Sequence, residues 1–391
     1  MESRISGSYS RRARAVAMVL AVWLSPSLFS TELAQGQTFV LLHTFGLSPD
    51  GGRSWAGLIR DASGNLYGTT EYGGAYDLGM VFELDPSGNE TILHSFSGIP
   101  MDGSLPTASL VRDEDGNLYG ATVDGGPCCG MVFKLDAAGN ETVLHNFYDP
   151  LGGQNPWTSL VPDRGGNLYG TTGIGGVFGL GTIFKVTATG YFRVVHNFDG
   201  LDGRGSLSGL IRDAAGNLYG TSPMGGDRNC GTVFRMNATG KGRLLHSFNG
   251  APDGASPHSR LVVDAAGNLY GTTLYGGANG YGTVFKVDAF GNETVLYSFT
   301  DGFDGGYPWG GLARDGAGNL YGTTLGNGFS SVGTVFELTP TGRLRVLHTF
   351  TGRPDGASPL GDLIRDEAGN LYGTTWGGGT FDFGTVFKIT P

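Results

Sequence analysis

Beyond residue 37, apolar residues fall in short runs that Gly, Asn and Asp interrupt at regular offsets. One unit reads Ser109–Asp113 (SLVRD), Asn117–Thr122 (NLYGAT), Gly130–Asp136 (GMVFKLD) and Glu141–Phe147 (ETVLHNF). Runs of this length, rich in Val, Leu, Phe, Tyr and Thr and bounded by turn residues, predict β-strands. No stretch shows a helical period. Two turns of the form Asp-x-x-Gly-Asn supply a residue tolerant of positive φ, as a tight antiparallel connection requires.

The unit repeats. Gly-Asn-Leu-Tyr-Gly begins at Gly64, Gly116, Gly166, Gly216, Gly267, Gly318 and Gly369, in steps of 50 to 52 residues. Four strands in each of seven units predict an all-β, seven-bladed β-propeller of about 51-residue repeats over residues 37–391. The ends of the repeat region predict closure. Thr38–Phe45 matches the fourth strand of a unit lacking its first three, and Gly384–Thr390 matches a third strand lacking its fourth. Pairing the two completes one blade, whereas an open solenoid would need polar caps instead.

Residues 1–36 stand outside the repeat. Arg11, Arg12 and Arg14 precede an apolar run, Ala15–Phe29, and Ala34-Gln35-Gly36 offers small residues for a peptidase. This is the form of a secretory signal cleaved near Gly36. The run is shorter than the roughly 20 residues of a spanning helix, so no membrane insertion is expected after cleavage. A secreted or periplasmic, monomeric protein is the expectation. Cleavage there leaves 21 basic against 33 acidic residues, a net charge of −12. That charge excludes nucleic acid and anionic membrane as natural partners. Three cysteines, Cys128, Cys129 and Cys230, leave open a vicinal disulfide, a Cys129–Cys230 bridge or free thiols.

The blocks Gly-Asn-Leu-Tyr-Gly-Thr-Thr, Gly-Gly, Gly-Thr-Val-Phe and Leu-His-x-Phe resemble the bacterial GloVer tandem repeat over residues 38–391. That resemblance implies an exported repeat protein with no catalytic site attached to the repeat. The same resemblance implies a chain that ends in a sorting anchor. Here no apolar tail follows the last strand, so surface anchoring is not expected.

Most repeated residues read as scaffold. The histidines of Leu-His-x-Phe (His43, His94, His145, His196, His246, His348) lie too far apart to share one ion, and Tyr297 fills the seventh position. Arg60, Arg112, Arg212, Arg314 and Arg365 are expected to pair with aspartates of the same or a neighbouring blade. The crossover aspartates, such as Asp102 and Asp253, are read as turn-closing groups. One such carboxylate per blade is too few for calcium. No metal and no cofactor is expected.

Function is sought where blades differ. After the crossover proline or its equivalent come Trp55, Thr107, Trp157, Leu207, His258, Trp309 and Leu360. On a propeller template these stand at the mouth of the central channel, on the face that carries the variable loops. Those loops add Tyr72, Tyr275 and Trp376, with Tyr76, Phe178, Tyr281, Phe329, Phe381 and Phe383 nearby. Aromatic rings on a concave rim suit sugar rings or apolar ligand faces, although packing between blades would use the same residues. No nucleophile–base–orienter set forms a motif, and His258 is the lone histidine outside the periodic position. The expectation is a binding or interaction module for carbohydrate or protein at Trp55, Trp157, Trp309, Tyr72, Tyr275, Trp376 and His258. A propeller hydrolase or lyase acting on polysaccharide or lactone is the alternative, and a purely structural envelope protein is another.

Overall fold

The computed structural model describes residues 37–46, 48–237, 239–326 and 332–390. The predicted signal segment and Phe329 lie outside them. Seven four-stranded antiparallel sheets form the blades. In blade one the strands run outward as Ile59–Arg60, Leu66–Thr70, Met80–Leu84 and Glu90–Ser95. Blade seven is composite: Ile364–Arg365, Leu371–Thr375 and Thr385–Thr390 are completed by Thr38–Thr44. That closing pair runs antiparallel from Thr38 opposite Thr390 to Thr44 opposite Thr385. The ring is closed as the split unit predicted.

Each sequence block has a physical task. The turn aspartate Asp61 accepts from the Asn65 backbone, the Asn65 side chain and the Tyr67 hydroxyl. The same three bonds recur at Asp113, Asp213 and Asp366. Burial opposes ionisation of Asp61, but these bonds hold its carboxyl below the usual range. The core lies between blades rather than within them. The phenylalanine of Leu-His-x-Phe meets that of Gly-Thr-Val-Phe in the next blade, edge to face. Phe45–Phe82, Phe147–Phe184 and Phe350–Phe387 have ring centroids 5.4, 5.1 and 5.2 Å apart. Gly68, which ends the pentapeptide, makes room for this ring, since a Cβ there would sit 2.5 Å from Phe82 Cζ.

Two details depart from a simple strand reading. The innermost strand pairs over two residues rather than five, for example Val111–Arg112. Its preceding backbone is drawn to the neighbouring blade instead: the Gly57 N–H donates to Ser109 Oγ (2.9 Å) and the Ser109 N–H to Ser159 Oγ (3.1 Å). Thr374 Oγ1 donates to the Ala56 carbonyl at 2.9 Å and carries this ring of bonds from blade seven to blade one. Every outer strand also bulges one residue before its His or Tyr, as at Leu245 between Leu244 and His246. The four expected strands per blade are otherwise present, and the only helical segment among the described residues is a 3₁₀ turn at Pro150–Gly152.

Candidate functional site

The mouth of the channel is built by one conformational device used seven times. Two residues before each ring position the backbone is left-handed: Arg53, Leu105, Asn155, Ser256, Tyr307 and Ser358 have φ between 53° and 58°, and Gly205 has 60°. Non-glycine residues seldom adopt this region. Here the neighbouring blade fixes it: the Arg53 N–H donates to the Phe383 carbonyl (2.7 Å), Leu105 to Leu78 (2.9 Å) and Tyr307 to Tyr281 (2.8 Å). The turn then aims the ring residue at the axis.

All seven ring residues, Trp55, Thr107, Trp157, Leu207, His258, Trp309 and Leu360, line one cavity of about 240 Å³. Trp55 meets Trp309 edge-on at 6.1 Å, and His258 stacks on Trp309 at 4.1 Å. Trp157 is 39% exposed and presents its ring to solvent. The position two residues deeper is Gly or Ser in five blades, but Arg260 and Asp362 occupy it in the other two and line the cavity floor. Burial pushes the Asp362 carboxyl up, with the Arg260 charge acting against that shift, and Asp362 accepts the Gly311 N–H. Toward the turn face the channel widens to about 1300 Å³.

His258 is neutral at physiological pH, because burial pushes its pKa down to about 4. Its Nε2 lies 3.1 Å from Ser256 Oγ. Its Nδ1 is buried without a hydrogen-bond partner among the described residues, and so is Thr107 Oγ1. Both residues line the cavity, but these two atoms are themselves sealed from its space, and each is costly to leave unsatisfied.

Three of the sequence-predicted residues stand outside the cavity lining. Trp376 backs Trp55 at 6.3 Å, and both indoles donate to Glu71 Oε2, at 2.8 Å from Trp55 and 3.4 Å from Trp376. The Arg53 guanidinium lies 4.2 Å above the Trp376 ring and 5.9 Å from that of Tyr72. Tyr72 itself folds back to pair with Gly52. Tyr275 abuts Tyr307 at 5.9 Å, which in turn meets Tyr281. Glu71 and Arg53, which orient Trp55 and Trp376, had no motif to mark them. Their only signal was a charge at a position that varies between blades.

The other candidates resolve into scaffold contacts. Arg60, Arg112, Arg314 and Arg365 lie over Tyr372, Tyr67, Tyr270 and Tyr321 of the preceding blade, at 5.6 to 5.9 Å. These cation–π contacts stand beside the expected aspartate pairing: burial opposes ionisation of Asp366, but its hydrogen bonds and then the Arg60 charge from the next blade hold its carboxyl below the usual range. Cys128 and Cys129 form a vicinal disulfide, Cys230 is free, and Gln154 Nε2 donates to Cys129 Sγ. Five of the periodic histidines meet crossover aspartates, as in His196–Asp202 (2.5 Å) and His348–Asp355 (2.9 Å), whereas His145 stacks on Phe192. No helix among the described residues is long and apolar enough to cross a membrane.

Among solved structures the chain is similar to the extracellular domain of a B. thetaiotaomicron protein assigned as a one-component system. The TM-score is 0.57 at 12% identity, over 89% of this chain and 39% of that one. It is similar also to PorZ, a surface component of the type-IX secretion system of Porphyromonas gingivalis, with TM-score 0.52 and 16% identity over 89% and 48% of the two chains. The chain thus spans less than half the length of both. A protein assigned as a gluconolactonase matches at TM-score 0.45 and 14% identity over 91% and 92%. These likenesses concern the fold. No curated protein matches the sequence. The profile of the Gloeobacter/Verrucomicrobia repeat matches residues 25–229, 93–264 and 206–391, which together cover all seven units, and the chain belongs to that family.

Proposed function

We propose that this protein is an exported, noncatalytic binding module that holds a single sugar ring or chain end in the loop-face cavity. The observation that carries the reading is the convergence of Trp55, Trp157, Trp309 and His258 on one axial cavity whose floor carries the polar side chains of Arg260 and Asp362. Indole faces stack on the apolar face of a pyranose, while hydroxyls need nearby polar groups. The volume of about 240 Å³ is just under the usual range for ligand pockets, roughly 300–1,000 Å³, which suits one ring rather than an extended oligosaccharide. Arg260 and Asp362 supply the polar groups of the cavity floor for such a ligand, and a pKa near 4 makes His258 a poor general base at pH 7.

The test is a glycan array probed with the purified protein, followed by calorimetry on the best ligand. Replacing Trp55, Trp157 and Trp309 together by Ala should abolish binding and leave the far-ultraviolet circular dichroism of the blades unchanged. A folded triple variant that binds as tightly as the parent refutes the assignment. Capture of a protein partner with no glycan signal would replace carbohydrate by a protein surface.

A further inference from the structure

A second pattern runs around the outer rim, independent of the cavity. Where two blades meet, the outer-strand histidine of one faces the crossover aspartate and the first residues of the next blade's outer strand. At three interfaces that strand supplies a glutamate, giving His43–Asp50–Glu90, His94–Asp102–Glu141 and His246–Asp253–Glu293. At two others it supplies a phenylalanine that stacks on the imidazole instead: Phe192 on His145 at 3.7 Å and Phe39 on His348 at 3.9 Å. Gly242 and Leu344 occupy the remaining two.

The glutamate changes the geometry. Where it is present the His–Asp separation is 3.4, 3.5 and 3.2 Å. Where it is absent the separation is 2.5 Å (His196–Asp202) and 2.9 Å (His348–Asp355). The histidine Nε2 lies 3.8 Å from Glu90 Oε1 and 3.9 Å from Glu141 Oε1 in the first two sets. In each set the three donor atoms fall within 4.8 Å of one another. Glu293 Oε1 is buried without a hydrogen-bond partner, and Glu90 Oε1, Glu141 Oε1 and His94 Nε2 are buried with only the neighbouring aspartate near them. Such atoms carry a desolvation cost unless something meets them.

We propose that these three interfaces are divalent transition-metal sites, each formed by an imidazole nitrogen, an aspartate oxygen and a glutamate oxygen, with Zn²⁺ as the ion of best fit. Zinc bonds of about 2.0–2.2 Å at tetrahedral angles place neighbouring donors about 3.4 Å apart; the His–Asp spacings of 3.4, 3.5 and 3.2 Å bracket that value, and the glutamates, at 3.8 and 3.9 Å from the imidazole in the first two sets, would close in on the ion. An imidazole nitrogen selects against Ca²⁺ and Mg²⁺, which take oxygen donors. Solvent completes the coordination. The ion would tie adjacent blades together at the rim, because histidine and glutamate come from different sheets.

Equilibrium dialysis of the purified protein against micromolar Zn²⁺, with elemental analysis, should give three ions per chain and a raised melting temperature. Glu90→Gln, Glu141→Gln and Glu293→Gln should each remove one ion, and the triple variant should bind none and lose the thermal shift. Should the triple variant fail to fold, Co²⁺ titration of the parent and the single variants gives the same count from its visible bands. Absence of bound Zn²⁺ and of Co²⁺ bands in the parent overturns the proposal. So does a stoichiometry that the glutamate substitutions leave unchanged.

Discussion

The interlock between neighbouring outer strands can be tested at Gly291, in the outer turn of blade five. Its φ is +96°, and a Cβ there would lie 2.5 Å from the carbonyl oxygen of Leu245, the bulged residue of blade four. Gly267, in the inner turn of the same blade, has φ +83° and nothing within 4 Å of its Cβ position. Both glycines are left-handed, and only one is crowded. Left-handed backbone costs alanine roughly 1–2 kcal/mol. Its smaller unfolded-state entropy returns about 0.4–1 kcal/mol. Gly267→Ala should therefore cost about 1 kcal/mol. Gly291→Ala must also separate carbon and oxygen to about 3.3 Å, a movement of about 0.8 Å between blades. Overpacking of that kind adds roughly 1–3 kcal/mol, for a total of about 2–4 kcal/mol. Urea unfolding followed by tryptophan fluorescence reads the difference as a lower midpoint at unchanged slope. Equal losses in the two variants would show that the bulge does not register one blade against the next.

Two further outcomes follow from the seam and from His258. Deleting residues 37–45 removes six paired positions and the fully buried Phe45, and leaves Thr385–Thr390 as an open edge. The melting temperature should fall sharply and light scattering should show association, so a monomer with unchanged melting would contradict closure. The folded pKa of His258 lies below the ordinary 6.5, so its contribution to stability is complete above pH 6.5 and lost as pH falls toward 4. Between pH 7 and pH 4.5 the parent should lose about 2–3 kcal/mol more than a His258→Asn variant, and parallel urea titrations at the two values would detect identical losses.

Much of the architecture was legible because each block repeats a local requirement. The turn aspartate and its asparagine are four residues apart, as with Asp61 and Asn65, so the motif reports its own hydrogen bonds. The ring residues were legible for the opposite reason: Trp55 and His258 break the repeat at a fixed offset within it. Contacts between blades were hidden. His43 and Glu90 belong to different units, and Glu-Thr reads as an ordinary strand start until the sheets are side by side. The short inner strand was hidden likewise, because the bonds that divert it, such as Gly57 to Ser109, cross a unit boundary. Tyr72 and Tyr275 were placed on the variable loops, but their backbones pair with Gly52 and Ala255 and neither residue lines the cavity.

The composite seventh blade also sets an order of events during synthesis. Thr44 leaves the ribosome 341 residues before its partner Thr385. At about 5–20 residues per second that interval is roughly 17–70 s. Throughout it the strand bearing Phe39 and Phe45 has no sheet to join, although the first complete blades can already form beside it. A holdase that shields this segment would therefore have to act on Thr38–Phe45 for that whole interval, and the ring would shut only when Thr385–Thr390 arrive.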